Sequence, residues 1–249
     1  DGNKGDVFNW IAHRENLDIQ TDFPQILKIA ADYAGVKIND SYQSTDNKEL
    51  LTLNTAIALF YHSQLTDEIR NHITEKWGIT NKTIDDIKIG FAPMEDSLLN
   101  ETEGAFEPDL LKSSGLMIDT GFGVKDFFKG RIVFPYWKGN HVVYFIGRKC
   151  EHTPDTKYEQ AKYKKQIVHS DKKKYVSEAV NNSYFYGENS LKGAEHCLIT
   201  EGVTDCIMAM QNDIPCISPV TVRFRKEDYD KMYSLVKRLD TVYICNDSE

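Results

Sequence analysis

Three apolar runs at the C-terminal end constrain this chain most: Cys197-Leu198-Ile199-Thr200, Cys216-Ile217 and Val242-Tyr243-Ile244-Cys245. Ile207, Met208 and Met210, at helical spacing, predict a helix between the first two, and a second helix is predicted from about Lys226 to Arg238. The order β-α-β-α-β reads as a parallel sheet with right-handed crossovers. Carboxylates follow two of the runs: Glu201-Gly202-Val203-Thr204-Asp205 after the first, and Asn246-Asp247-Ser248-Glu249 after the third. Ligands of open α/β sheets gather outside the carboxyl ends of the strands. Four acids converging there repel one another unless a hard cation such as Mg²⁺, which takes oxygen ligands, neutralises them. The expectation is metal-dependent chemistry on phosphates.

Composition narrows the partners. The 249 residues suffice for one large or two small domains. No apolar stretch reaches the ~18 residues of a membrane span, and Asp1-Gly2-Asn3-Lys4 opens no secretory pattern. A cytoplasmic setting with no membrane partner is expected. The five cysteines (Cys150, Cys197, Cys206, Cys216, Cys245) lack C-x-x-C spacing, and four lie in apolar stretches, so they read as buried reduced thiols. None of the seven histidines pairs with another at metal spacing, so each reads as structural. The net charge of -8 argues against a nucleic-acid partner, but its distribution argues back. From Arg148 to Lys174 nine Lys/Arg stand against four Asp/Glu, interleaved with Tyr158, Tyr163 and Tyr175. Such a segment suits an electronegative polymer or nucleotide phosphates; a solvated loop is the alternative.

Upstream, residues 5–35 read as helical, with Pro24 near the start of a second helix and Gly35 ending it. Residues 36–48 read as a polar linker. Helical spacing returns over 49–89 through Leu53, Ile57, Phe60, Ile69, Ile73 and Trp77, then Ile84 and Ile87. After Gly90 the period changes: residues 131–136 and 141–147 are β-branched and aromatic around Lys138-Gly139-Asn140, a hairpin signal. The fold class is α+β, with a helical or mixed N-terminal subdomain ahead of the parallel-sheet α/β fold.

Several motifs, in order, resemble those of bacterial-type (DnaG-type) DNA primases. Gly78-Ile79-Thr80 followed by Ile89-Gly90-Phe91-Ala92-Pro93 is similar to the family's helix–turn–helix run ending in G-F-A-P. Gly130-Arg131-Ile132-Val133-Phe134-Pro135 with Gly147-Arg148 resembles its R-x-x-F-P and G-R pair. Lys174-Tyr175 and Tyr186-Gly187 resemble its K-Y and L-Y-G. Glu201-Gly202, Asp205 and Asp247-x-Glu249 resemble the acids of the TOPRIM catalytic fold, whose first part would be residues 195–249. Gly5-Asp6-Val7-Phe8 and Trp10 resemble the tail of the family's zinc-ribbon module. The implied organisation is a zinc-ribbon tail and following helices over 1–35, a linker over 36–48, a template- and nucleotide-binding subdomain over 49–190 and TOPRIM from 195. The resemblance also implies a fragment of a longer primase or primase–helicase, with zinc ligands upstream and a further acidic pair downstream.

The resemblance further implies synthesis of short RNA primers on single-stranded DNA by nucleotidyl transfer. Ribonucleoside triphosphates are then substrates, a replicative helicase a partner, Mg²⁺ or Mn²⁺ the catalytic ion and Zn²⁺ confined to an upstream module. Asp247 and Glu249 are implied metal ligands. Glu201 is either a ligand or the group that helps deprotonate the attacking hydroxyl, and Asp205, one helical turn on, can face the same site. Arg131, Arg148, Lys174 and Tyr175 are the implied nucleotide or template contacts, arginine because its fork binds phosphate oxygens in pairs. Three departures stand out: Asn181-Asn182-Ser183 where the family often has a lysine, Ser218-Pro219-Val220-Thr221 at a commonly glycine-containing turn, and Glu249 as the second member of the acidic pair. A TOPRIM nuclease or topoisomerase, a non-catalytic single-stranded-DNA-binding module and a generic α/β phosphate binder are the alternatives; the absence of a Gly-rich P-loop lowers the last.

Overall fold

The computed structural model describes the chain except residues 1–4, 16, 20–22, 36–44, 122, 221–224, 238 and 247–249. It divides into two compact units, residues 1–48 and 49–249. The boundary falls at the end of the expected linker, of which 36–44 lie outside the described residues and 45–48 already form the first turn of a helix.

The first unit is a pair of helices, α1 (Val7–Glu15) and α2 (Phe23–Ala34). The Asp6 carboxylate accepts from the backbone N–H groups of Phe8 and Asn9 at 3.0 and 3.1 Å, satisfying donors that a helix start leaves open. Ile11, Ala12 and Ile26 form the small core, with Phe8 and Ile29 against it.

The second unit begins within α3 (Thr45–Ser63), whose first turn precedes the boundary, and continues with α4 (Asp67–Trp77) and α5 (Asn81–Ile87), the helices expected over 49–89. Thr66 and Thr80 cap α4 and α5 by accepting from the backbones of Ile69 and Thr83. After β1 (Gly90–Phe91) come two short helices, α6 (Leu98–Glu101) and α7 (Pro108–Ser113), and a small ribbon, β2 (Met117–Asp119) and β3 (Val124–Asp126). The predicted hairpin is β4 (Arg131–Lys138) and β5 (His141–Lys149), joined by Gly139-Asn140. With β1 and β6 (Tyr163–Lys165) it forms an antiparallel sheet in the order β1-β4-β5-β6.

A second sheet carries β7 (Phe185–Tyr186), β8 (His196–Thr200), β9 (Cys216–Pro219) and β10 (Thr241–Cys245) in the order β10-β8-β9-β7. β8 is parallel to both neighbours. Helices α8 (Val203–Gln211) and α9 (Tyr229–Val236) are its crossovers, the expected β-α-β-α-β. β7 adds an antiparallel edge by pairing with β9 and lies ahead of the division placed at 195 from the sequence.

One core joins the two sheets. Ile132, Phe134 and Ile146 of the antiparallel sheet pack with Val203, Cys206 and Ile207 of α8 and Cys216 of β9. The contact is pinned at its edge, where Gln211 on α8 accepts from Thr80 N at 2.7 Å and donates to Gly78 O at 3.0 Å. Cys197, Cys206 and Cys216 are buried free thiols as expected; Cys245 is exposed, because the outer strand β10 turns it to solvent.

Candidate functional site

Glu201 and Asp205 are brought to one place. β8 delivers Glu201 at its carboxyl end, and α8 begins two residues later, so Asp205 lies in the first helical turn. Gly202 permits the pairing: a methyl group there would stand 2.4 Å from Asp205 Oδ2. Thr200 and Ser218 brace the turn, Thr200 Oγ1 donating to Gly202 O at 3.3 Å and Ser218 Oγ to Glu201 O at 3.2 Å.

The two acids line a cleft of about 390 Å³ between the sheets. Its other wall holds Lys162, Tyr163 and Lys165, from the basic segment singled out in the sequence. Strand alternation explains the choice, since Tyr163 and Lys165 point to one face of β6 and Lys164 to the other. Lys164 instead pairs with Glu159 and stacks over Phe127 at 4.2 Å, and burial lowers its pKa against the pull of Glu159. Partial burial and the nearby Arg225 lower the pKa of Lys165.

Arg148 reaches the same region. Its guanidinium lies over Trp77 at 4.2 Å and near Tyr163 at 5.4 Å. Nη1 donates to Tyr163 Oη at 3.1 Å and to Thr204 Oγ1 at 3.3 Å, one residue from Asp205. Among the described residues no carboxylate lies within ion-pair distance of Arg148.

Arg131 is not part of this group. It is fully buried, and five donor contacts absorb it: Nε and Nη2 to Glu159 Oε2 at 3.0 and 2.9 Å, Nη2 to Glu159 O and Nη1 to Ala161 O at 3.0 Å, and Nη1 to Gly147 O at 3.5 Å. The phosphate contact expected of it is replaced by a grip on residues 159–161, because the side chain enters the sheet core rather than solvent. Lys174 and Tyr175 are exposed on the 171–180 loop, anchored through Val176 and Val180 against Leu50, and do not line the cleft.

Asp247 and Glu249 lie outside the described residues. β10 runs parallel to β8 with Cys245 opposite Thr200, so the strand that precedes them ends level with the one that delivers Glu201. Oxygen donors are what a hard divalent cation takes, and neither Glu201 nor Asp205 has a Lys or Arg partner among the described residues. The pair fits such an ion. Lys162, Lys165 and Thr204 are cleft residues that the sequence did not single out; alternation in β6 and the position of Thr204 between the two acids were the available signals.

Residues 60–177 match the family described as DNA primase catalytic core, N-terminal domain. The chain is 30% identical over 173 residues to the DNA primase of Lactococcus lactis, an alignment covering 65% of this chain and 26% of that protein. With the DNA primase of Enterococcus faecalis it shares 23% over 269 residues, covering 100% of this chain and 41% of that protein. The chain thus spans between about a quarter and two fifths of these relatives. Among solved structures, the RNA polymerase domain of Mycobacterium tuberculosis primase DnaG in complex with double-stranded DNA superposes with a TM-score of 0.66 at 23% identity, covering 81% of this chain and 65% of that one. The zinc-binding and RNA polymerase domains of Aquifex aeolicus primase give 0.64 at 18% identity, over 98% of this chain and 57% of that one. A DnaG catalytic domain bound to single-stranded DNA gives 0.65 at 20% identity, over 83% of this chain and 63% of that one. Among the described residues no helix is long and apolar enough to cross a membrane.

Proposed function

Since this chain belongs to the bacterial DnaG-type DNA primase family, we propose that its cleft is the nucleotidyl-transfer site of a primase, joining ribonucleotides into short RNA primers on single-stranded DNA. The observation that carries this is the convergence of Glu201 and Asp205 with Lys162, Lys165 and Arg148 around one cleft at the carboxyl ends of parallel strands. Acids on one wall and cations on the other suit a reaction in which negative charge moves between phosphoryl oxygens.

Glu201 and Asp205 would hold Mg²⁺ or Mn²⁺ together with Asp247 and Glu249. A bound divalent ion supplies charge stabilisation to the transferring phosphoryl group. Arg148, stiffened by Trp77 and tied to Thr204, presents a fixed fork to the triphosphate. Lys162 and Lys165 take further phosphate oxygens, and Tyr163 offers a ring to a base. Lys174 and Tyr175, exposed outside the cleft, serve the template strand. Arg131 is a positioning residue, holding the 159–161 turn from which the cationic wall begins. Family membership supports a helicase partner, a cytoplasmic setting and a Zn²⁺ module adjoining residues 1–35.

Primer synthesis by the full-length protein, with labelled ribonucleotides and Mg²⁺ or Mn²⁺, tests the reading. Glu201→Gln and Asp205→Asn are expected to lower the rate by at least ~100-fold while single-stranded DNA is still bound, and Arg148→Ala to raise the nucleotide KM. Wild-type synthesis by Glu201→Gln would refute the site. Metal-dependent nicking or relaxation of DNA without primers would keep the fold and transfer the chemistry to a nuclease or topoisomerase.

A further inference from the structure

We propose a second cation site, formed by Glu68, His72, Glu151 and His152 and suited to a zinc-class transition-metal ion. It shares no residue with the cleft and does not depend on the primase reading. Ligand-capable atoms of Glu68, Glu151 and His152 lie within 4.8 Å of one another. His72 joins them, with Nδ1 3.5 Å from Glu151 Oε1. Glu68 and His72 stand four residues apart on α4 and share a helix face. Glu151 and His152 come from the turn after β5. That turn is held in shape by Thr153, whose hydroxyl donates to Gly130 O at 2.7 Å and accepts from Cys150 N at 3.0 Å.

Two features of the cluster point to a ligand. Neither Glu68 nor Glu151 is paired with a lysine or arginine among the described residues, so two carboxylates approach with only imidazoles between them. The His152 ring is partly exposed, but its Nε2 is buried with no hydrogen-bond partner, leaving that nitrogen open to a ligand. The ring is held edge-on to Phe91 at 5.7 Å. Two imidazoles with two carboxylates are a mixed nitrogen and oxygen donor set. That set suits Zn²⁺ and its neighbours, whereas Mg²⁺ prefers oxygen alone. A bound ion would tie α4, which carries Trp77 beneath Arg148, to the turn that opens the basic segment. Both walls of the Arg148 stack would then be fixed by one staple.

The 249-residue chain, titrated with Co²⁺ as a spectroscopic probe in excess Mg²⁺ so that all-oxygen sites are filled, provides the test. Glu68 and Glu151 are exposed, so Glu68→Gln/Glu151→Gln should fold normally, checked by circular dichroism. The wild type is expected to bind one Co²⁺ more than the double variant. Its visible bands should lack sulfur-to-metal charge transfer and be displaced by Zn²⁺, and the variant should lose at least ~100-fold in affinity. Zn²⁺ should raise the thermal midpoint of the wild type and not of the variant. Equal titrations and equal midpoint shifts in both proteins, or a thiolate band accounting for all the binding, would overturn the site. His152→Asn provides a second arm, expected to match the double variant; wild-type binding by it would remove His152 as a ligand and overturn the four-residue site.

Discussion

Arg131 shows how burial redirects a charge. Beside a resembling motif it reads as a phosphate ligand, but its five donors are spent on Glu159, Ala161 and Gly147. Replacing it by Met would strip its donors from Glu159 Oε2 and from the carbonyls of Glu159, Ala161 and Gly147 in a partly buried setting, leaving Lys164 alone on the Glu159 carboxylate. The expected loss is about 3–5 kcal/mol, as for one partner removed from a buried pair, read from urea unfolding. A variant within 1 kcal/mol of wild type would mean that water reaches those groups readily. Gly202 makes the opposite case, where the cost falls on the site. Its φ is ordinary at -109°, so Gly202→Ala should fold. The added methyl would push Asp205 Oδ2 from its 2.4 Å position, and a carboxylate displaced by about 1 Å is expected to slow primer synthesis roughly 100-fold. An unchanged rate together with an unchanged unfolding midpoint would show that Asp205 has other usable rotamers.

At the level of elements, the start of α9 is secured by an ion pair that also ties it to the segment ahead of β7. Arg225 donates to both oxygens of Asp228 and to Asn182 Oδ1 at 2.7 Å and Asn182 O at 3.0 Å. Burial opposes ionisation of Asp228, but the Arg225 hydrogen bonds and charge outweigh it and hold the carboxyl below its ordinary value of 3.8. A depressed folded-state pKa means that the stabilisation is present above 3.8 and is lost as pH falls through the folded-state value. Asp228→Asn should therefore destabilise the chain by about 1.5–3 kcal/mol near neutral pH. The gap should close below pH 3.8, which unfolding curves at several pH values would reveal. A gap of constant size would show that packing, not charge, carries the effect. Elements also mark where pattern reading stops. β4, β5, β8 and β10 announced themselves through apolar runs. β1, β2, β3, β6 and β7 span only two or three residues each, too short for a period of two to register. They form because a neighbouring strand offers unpaired backbone groups.

For the molecule as a whole, the two units have unequal means of support. The first buries Ile11, Ala12 and Ile26, whereas the second has several clusters, the largest running through both sheets. A helical pair of this size lies below the ~40 residues that usually fold unaided. A chain starting at Thr45, which keeps α3 whole, is therefore expected to unfold in one cooperative transition with the midpoint of the intact chain's main transition. Calorimetry checks this, and a midpoint lowered by more than a few degrees would show that the first unit supports the second. The described acids and cations of the cleft likewise belong to the second unit alone, so the template binding proposed for it should survive the same truncation.

Local order is what this sequence determined by itself. Periodicity gave the longer helices, though not α6 or α7, and the longer strands, and with them the delivery of Glu201 at a strand end and Asp205 one turn later, because both depend on neighbours in the chain. The tertiary structure decided which cations meet those acids. Arg148 reaches Thr204 across 56 positions, and Gln211 locks α8 to Gly78 across 133. It also decided that Arg131 turns inward, and that His72 and His152, unremarkable in sequence, converge with Glu68 and Glu151. Helix and strand periods act over a few residues, whereas desolvation and charge pairing act between whatever side chains the packed core brings within a few ångströms.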